Sequence, residues 1–321
     1  MKNLFYFIVI LSVLLFSCKK DELPVPKHDP GNVTTSTVNM DATYKWQVYF
    51  DLKTNTVVGQ NLKTAWDLGF ENGSAGFHVI LNTSKFMFAY NTGSTNFNSV
   101  VDTTGFALNK KWDSPSGSFD TTAIGDWHGL NNVYIIDRGY NETGVHQGFR
   151  KIQILSVDAN TYTVRFAQLN GTGDITLVIN KNDNYNFSFL SFSTSSTLLI
   201  EPPKDTWDLV FTQYTHIFYS PTEPYLVTGC LLNHYNTKAS VDSVNSFSQI
   251  KFENLSNYNL SNHINVIGYD WKTYTGGTYV TNSNTNYLIK DSEDYYYKLH
   301  FIDFYNQSGI KGNPKWEFQK L

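Results

Sequence analysis

From Tyr44 to the C-terminus the chain alternates apolar and polar residues in short stretches, broken by clusters of Gly, Asn, Asp and Ser. Examples are "YKWQVYFDL", "KIQILSV", "TYTVRFAQL", "DITLVIN", "YNFSFLSF" and "DYYYKLHFIDFY". A period of two is the signature of a strand, whose successive side chains point to opposite faces. In "TYTVRFAQL", Tyr162, Val164 and Phe166 make a buried face, while Thr161, Thr163 and Arg165 make a wet one. Sustained helical stripes are few, and "SQIKFENLSNYNLSNH" has room for one short helix near Phe252 to Leu255. Composition agrees: 16% aromatic and 16% charged residues, with Thr, Ser and Asn prominent, suit strands and turns better than surface helices. A chain of 321 residues can build one large all-β domain or two ordinary ones without covalent staples.

One motif occurs twice. "KTAWDLGF", Lys63 to Phe70, returns as "KDTWDLVF", Lys204 to Phe211. Tyr44 precedes Trp66 by 22 positions and Tyr185 precedes Trp207 by 22; a gapless alignment matches Trp46 with Phe187, Val48 with Phe189, and Val57-Val58 with Leu198-Leu199. The repeat then fades. It predicts two related antiparallel, sandwich-type β-modules over 41–182 and 183–321, after a leader at 1–17 and a tether at 18–40. Alternation sends Trp66, Leu68 and Phe70 one way and Asp67 the other, and likewise Trp207, Leu209 and Phe211 against Asp208. Both Trp-Asp pairs read as structural anchors. A buried indole needs an acceptor for its N–H, and the carboxylate can accept from backbone N–H groups of a neighbouring turn.

The N-terminus "MKNLFYFIVILSVLLFSCKKDE" has a Lys, an apolar run from Leu4 to Phe16, then Cys18. That run is too short to span about 30 Å of hydrocarbon as a helix, so it reads as a signal peptide. Leu15-Phe16-Ser17-Cys18 resembles a bacterial lipobox, which implies lipidation of the Cys18 thiol; the other reading is an ordinary secretory signal with a chance Cys. "CKKDE" resembles the export signal that sends lipoproteins to the outer face of the outer membrane. The Pro- and Thr-rich stretch Asp21 to Thr37 suits an extended tether. With Cys18 lipidated only Cys230 remains, in an apolar run, which leaves no intrachain disulfide. A formal net charge of −4 without a basic block excludes a nucleic-acid partner on electrostatic grounds.

Three segments share an order with a known family. "TVNMDATYKWQVYFDLKTNTVVGQNLKTAWDLGF", "WDLVFTQYTHIFYSPTEPYLVTGCLLN" and "YYKLHFIDFYNQSGIKGNPKWEFQKL" resemble the HmuY-like surface lipoproteins. The resemblance implies an all-β fold and, as in the best-known member, non-enzymatic capture of haem outside the outer membrane for a TonB-dependent transporter. It also implies ligands to iron. His128 and His146 lie in the stretch that corresponds to the ligand-bearing segment, but Arg138-Gly139 stands where the best-known member has a ligand His followed by Gly. Related members use Met, which brings in Met87 as a third candidate, although "SKFMFAY" also reads as a packed strand. His78, His216 and His300 sit in strand patterns, where a lone His is more often a hydrogen-bonded or edge residue. No HExxH, CxxC, GxSxG or P-loop pattern occurs, so a catalytic mechanism has no residues to rest on. A second reading is a surface carbohydrate- or protein-binding module in which exposed Trp112, Trp127 and Trp271 stack on sugars.

Overall fold

A computed structural model describes residues 30–321; the leader and Cys18 lie outside the described residues. Turn chemistry sets the first hairpin. After the short β1 (Thr34–Thr37), β2 (Trp46–Asp51) and β3 (Thr56–Leu62) are joined where Asp51 accepts from the Lys53 and Thr54 N–H groups. Asn55 takes a left-handed φ of 55° there, which Asn tolerates better than most residues. A matching hairpin joins β11 (Phe187–Ser191) to β12 (Ser196–Leu198). The two Trp-Asp-Leu motifs open β4 (Leu68–Glu71) and β13 (Leu209–Tyr219).

Each hairpin pairs with the motif strand of the other half. β2 runs antiparallel to β13, with Phe50 opposite Leu209, and β11 runs antiparallel to β4, with Leu190 opposite Leu68. Two sandwiches result. In the first, β5 (Val79–Leu81) completes a four-stranded sheet in the order β12-β11-β4-β5. It faces a five-stranded sheet of β6 (Phe88–Asn91), β7 (Val133–Asp137), β8 (Phe149–Val157), β9 (Thr161–Ala167) and β10 (Ile175–Asn180), around Phe70, Leu81, Ile136, Ile154, Val164 and Leu190. In the second, β14 (Thr222–Leu232) completes the sheet β14-β13-β2-β3. This faces β15 (Lys238–Asp242), β18 (Asn286–Lys290), β19 (Tyr296–Tyr305) and β20 (Lys311–Lys320), with β1 closing the edge beside β20, around Val48, Phe50, Phe211, Cys230, Tyr287 and Trp316. A separate ribbon is formed by β16 (Lys272–Thr275) and β17 (Thr278–Thr281). Each large apolar side chain fully buried this way contributes about 1.5–3 kcal/mol. Among the described residues no helix is long and apolar enough to cross a membrane, and the segment near Phe252 is a 3-10 turn, Phe252–Asn257.

Strand pairing therefore crosses the division expected at 182/183. The first sandwich is contiguous, 63–200, whereas the second is assembled from 30–62 and 201–321. The physical reason is edge cover: a motif strand lacking its hairpin partner would present a bare row of N–H and C=O groups. The gapless alignment also slips. Tyr49 lies opposite Val210 and Phe189 opposite Gly69, so the equivalent positions are Tyr49 with Phe189 and Gln47 with Phe187, one residue from the sequence match.

At each motif the chain turns a corner, and the corner is clamped the same way twice. The Asn82 amide donates to the carbonyls of Lys63 and Trp66 at 2.7 and 2.8 Å; the Asn233 amide donates to those of Lys204 and Trp207 at 2.8 and 2.7 Å. The Trp66 indole packs on Phe187 and Phe189 and donates to Gln47 Oε1 at 2.9 Å. Asp67 faces the other way, fully buried. It accepts from Lys85 Nζ, from Arg138 Nε at 3.0 Å and Nη2 at 3.1 Å, and from the Phe192 N–H at 2.7 Å. Burial alone would raise its pKa, but the two cations and their hydrogen bonds hold it below the usual carboxylate value. Asp208 accepts from the Leu52 N–H at 2.9 Å; burial, reinforced by Asp291, Asp51 and Glu293, pushes it up to about 8.

Three outcomes follow from this arrangement. Fragments 41–182 and 183–321, cut at the sequence division, each lack a hairpin: neither folds alone, and mixing them restores the native circular dichroism and a cooperative melt. Asp67→Ala strands Lys85 and Arg138 without their carboxylate and costs about 3–5 kcal/mol in urea unfolding. The pH response has the opposite sign at Asp208. Its folded pKa of about 8 exceeds the ordinary 3.8, so the folded state holds a proton that the unfolded state releases. That contribution is complete below about pH 4 and is lost as pH rises towards 8. Asp113 and Glu201, raised to about 7 by burial, act in the same sense. His234, lowered to about 4 by burial, opposes them only below its ordinary 6.5. Lys272, lowered to about 7 by burial, opposes them above about pH 7, so stability measured by urea declines most steeply from about pH 6.5 to about pH 7.5, and Asp208→Asn makes that decline shallower.

Candidate functional site

The two motif strands differ most in length. β4 has four residues and β13 has eleven, matched by an eleven-residue β14, so the β13–β14 hairpin stands out beyond its sandwich. Phe218, Tyr219 and Tyr225 near its tip are exposed. The β16–β17 ribbon lies beside it, turned by Gly276 and Gly277 at φ 59° and 86°, values that disfavour a side chain. Between hairpin and ribbon runs a groove of about 660 Å³ lined by Tyr44, Phe218, Tyr225, Tyr269, Tyr274 and Tyr279, with Lys272 and Asp270 among the polar members. The volume is in the range of small-molecule sites.

Its walls are ordered by ring contacts. Tyr274 and Tyr279 lie 5.0 Å apart, and Tyr279 meets Phe304 edge-on at 5.0 Å. Below them Trp271 stacks on Phe301 at 4.0 Å. The Lys272 ammonium sits 4.2 Å from the Trp271 ring centre and 4.8 Å from that of Phe304, and it donates to the Thr228 carbonyl. Burial pushes Lys272 down to about 7 against the opposing pull of Asp270, so its charge is only partly retained near neutrality. His216 wedges edge-on against Phe218 and Tyr269, at 4.9 and 4.8 Å. Its cross-strand partner is Tyr225. The arrangement offers flat apolar faces, with Tyr225 and Tyr274 exposed and the Tyr44 hydroxyl buried, suited to a planar aromatic ligand.

The residues singled out from the sequence lie elsewhere. His128 is exposed, with Nδ1 2.7 Å from Asp126 Oδ1, and it stacks on Trp127. His146 sits in the β7–β8 loop, with Nε2 2.7 Å from Asp137 Oδ1. The two are at opposite ends of β7. His128 packs 4.3 Å from Phe77, in the turn after β4, whereas Arg138, at the other end of β7, reaches Asp67 ahead of β4. The first sandwich thus separates them, and they cannot share one iron. Met87 is 1% exposed in the first core, where a thioether cannot reach a ligand without unpacking it. Arg138 is committed to Asp67. Trp127 and Trp271, expected on the surface, are 5% and 1% exposed and serve as core residues. Among the described residues no cluster of three or more His, Cys, Asp or Glu is placed to hold a metal ion.

Sequence reasoning missed the groove because its tyrosines come from segments far apart in the chain; the long apolar "LVFTQYTHIFY" was the one local signal. It also missed a ladder of rings. Trp127, His128, Phe77, His78, Phe119, His234 and Phe187 touch in that order, with centroids 3.9–5.6 Å apart. His78 is fixed in it by Glu71, 2.6 Å from Nδ1.

Comparison with known proteins places the chain in a family. No curated protein matches the chain. Among solved structures, apo PinO from Porphyromonas gingivitis is 8% identical, covers 91% of this chain and 98% of its own, and superposes with a TM-score of 0.25. The apo HmuY analog of Tannerella forsythia is 10% identical with the same coverages and a TM-score of 0.24. The family model for HmuY protein matches residues 43–318, and the chain belongs to the HmuY family.

Proposed function

We propose that this protein is a non-enzymatic surface lipoprotein that captures haem or a related porphyrin in the groove between β13–β14 and β16–β17 and yields it to a TonB-dependent transporter. Membership of the HmuY family supports a small-ligand role of this kind, and the observation that carries the site is the tyrosine-lined groove itself. A porphyrin needs apolar faces to lie between and a ligand for iron, for which a tyrosine phenolate serves. Tyr225 and Tyr274, both exposed and on opposite walls, are the phenols best placed to supply it. Anchoring through Cys18 at the outer membrane would bring the protein to where a transporter can meet it; of the tether expected over 18–40, β1 and the residues after it belong instead to the second sandwich, where β1 pairs with β20 and Val38 and Met40 enter the core.

Titration with hemin is expected to give a saturable Soret band. Tyr225→Ala and Tyr274→Ala each weaken binding about tenfold or more, the equivalent of about 1.4 kcal/mol, and the phenolate ligand's replacement also shifts the band. His128→Ala and His146→Ala leave the band unchanged. A spectrum that responds to either histidine and ignores both tyrosines moves the site out of the groove, and the absence of saturable binding in both redox states ends the porphyrin reading.

A further inference from the structure

The two four-stranded sheets turn their outer faces towards each other, and a cavity of about 110 Å³ lies between them, lined mainly by apolar groups that include Tyr49, Trp66, Phe187, Phe189, Trp207 and Val210. Trp207 is 4% exposed, and its Nε1 has no acceptor among the described residues. The cause lies in the register. Trp66 finds Gln47, but the position equivalent to Gln47 in the first sandwich is Phe187, which has nothing to accept with. A buried indole N–H without a partner costs about 1–3 kcal/mol, so it is a demand on whatever occupies the space.

We infer that this cavity is a second binding site, for a small neutral aromatic molecule carrying one hydrogen-bond acceptor. The lining disfavours charge, and the nearest carboxyl groups, Glu201 and Asp113, are already engaged by the Phe187 N–H and Asn186 amide and by the Leu81 and Ala123 N–H groups. The size suits a single ring: an apolar cavity of about 150 Å³ holds benzene. A porphyrin cannot enter, so the site is independent of the groove. Phe119 packs behind two of the lining residues, Phe187 and His234. It stacks between His78 and His234, at 4.9 and 5.6 Å, and its loop is tied to the second sandwich where the Ile264 N–H donates to the Ser116 carbonyl at 2.9 Å. His234 lines both this cavity and the shallow pocket on the far side of Phe119.

The full chain, titrated with phenol and separately with toluene while indole N–H resonances are followed by NMR, tests this. Phenol is expected to shift the Trp207 resonance saturably and to bind about tenfold more tightly than toluene. Trp207→Phe, which also assigns the resonance, removes the preference for phenol while toluene binding persists. Val210→Phe, which fills the space, abolishes both, and Phe119→Ala speeds exchange of phenol. If either variant fails to fold, the preference of the wild-type chain still decides. No saturable shift at Trp207, as with a trapped water only, overturns the proposal, and so does equal affinity for phenol and toluene.

Discussion

A strand that opens with Trp-Asp-Leu must be covered along both edges, and in this molecule the cover on one edge comes from the other half of the chain. That exchange fixes the rest. Because β2–β3 is committed to β13 and β11–β12 to β4, the first sandwich sits as a continuous insertion within the second, and the two four-stranded sheets are brought face to face. The chain passes between them at the two clamped corners, where each Trp points into the space between sheets and each Asp points into a sandwich core. The corner breaks the alternation expected from the sequence: Leu68 and Phe70 lie in the first core and Leu209 and Phe211 in the second, on the side of the Asp residues, while Trp66 and Trp207, ahead of the strands, turn the other way.

Duplication supplied the frame, and divergence supplied the places where ligands can go. The frame extends further than the corners. Lys151 and Lys298, in equivalent strands β8 and β19, each bury an ammonium that donates to two carbonyls of a 3-10 segment, Phe97 and Val100 in one case, Phe247 and Ile250 in the other. Each lies over the Phe of that segment, at 4.7 and 4.6 Å. Against this regularity three departures stand out: Asp67 has two cations while Asp208 has an N–H donor and carboxylate neighbours, Trp66 has an acceptor while Trp207 has none, and β13 is nearly three times as long as β4. The first sets the sign of the pH response, the second leaves a demand in the central cavity, and the third raises the wall of the groove.

How much of this could be read beforehand depended on distance along the chain. The all-β class was legible because alternation is local, and the paired corners were legible because five of eight contiguous positions recur. The exchange was not, since a repeat states which segments are alike and is silent on which copy each pairs with. The Lys151 and Lys298 clamps escaped because their frames share a geometry and little sequence, "FRKIQILSV" against "YYKLHFIDFY". Site residues failed for a related reason. His128 and His146 lie 18 positions apart, close enough to suggest one loop system, but β7 runs between them and carries them to opposite ends. Trp127 and Trp271 looked like surface aromatics in turn-rich sequence, yet an indole in a Gly- and Asp-rich turn can fold inward, as Trp127 does by donating to the Phe77 carbonyl at 2.9 Å.

On the proposed reading, the contrast between the groove and the central cavity bears on how a carrier would release its cargo. The central cavity lies between two sheets, so exchange of a ligand there would run past the loop that carries Ser114, Pro115, Gly117 and Ser118. The groove between the hairpin and the ribbon has the exposed Tyr225 and Tyr274 among its lining, so a planar ligand proposed there would keep an edge available to a second protein. Behind it Trp271, Phe301 and Phe304 belong to the second core; one wall is an arm of the four-stranded sheet and the other is the two-stranded β16–β17 ribbon. Two-stranded elements are the least self-stabilised units of a sheet fold. On the proposed reading, a transporter that displaced the β16–β17 ribbon would loosen the ligand, while the β13–β14 wall stays tied to the first sandwich through the Thr215 hydroxyl, which donates to the Thr83 carbonyl at 2.8 Å; that is the mechanical condition for handing a cargo on.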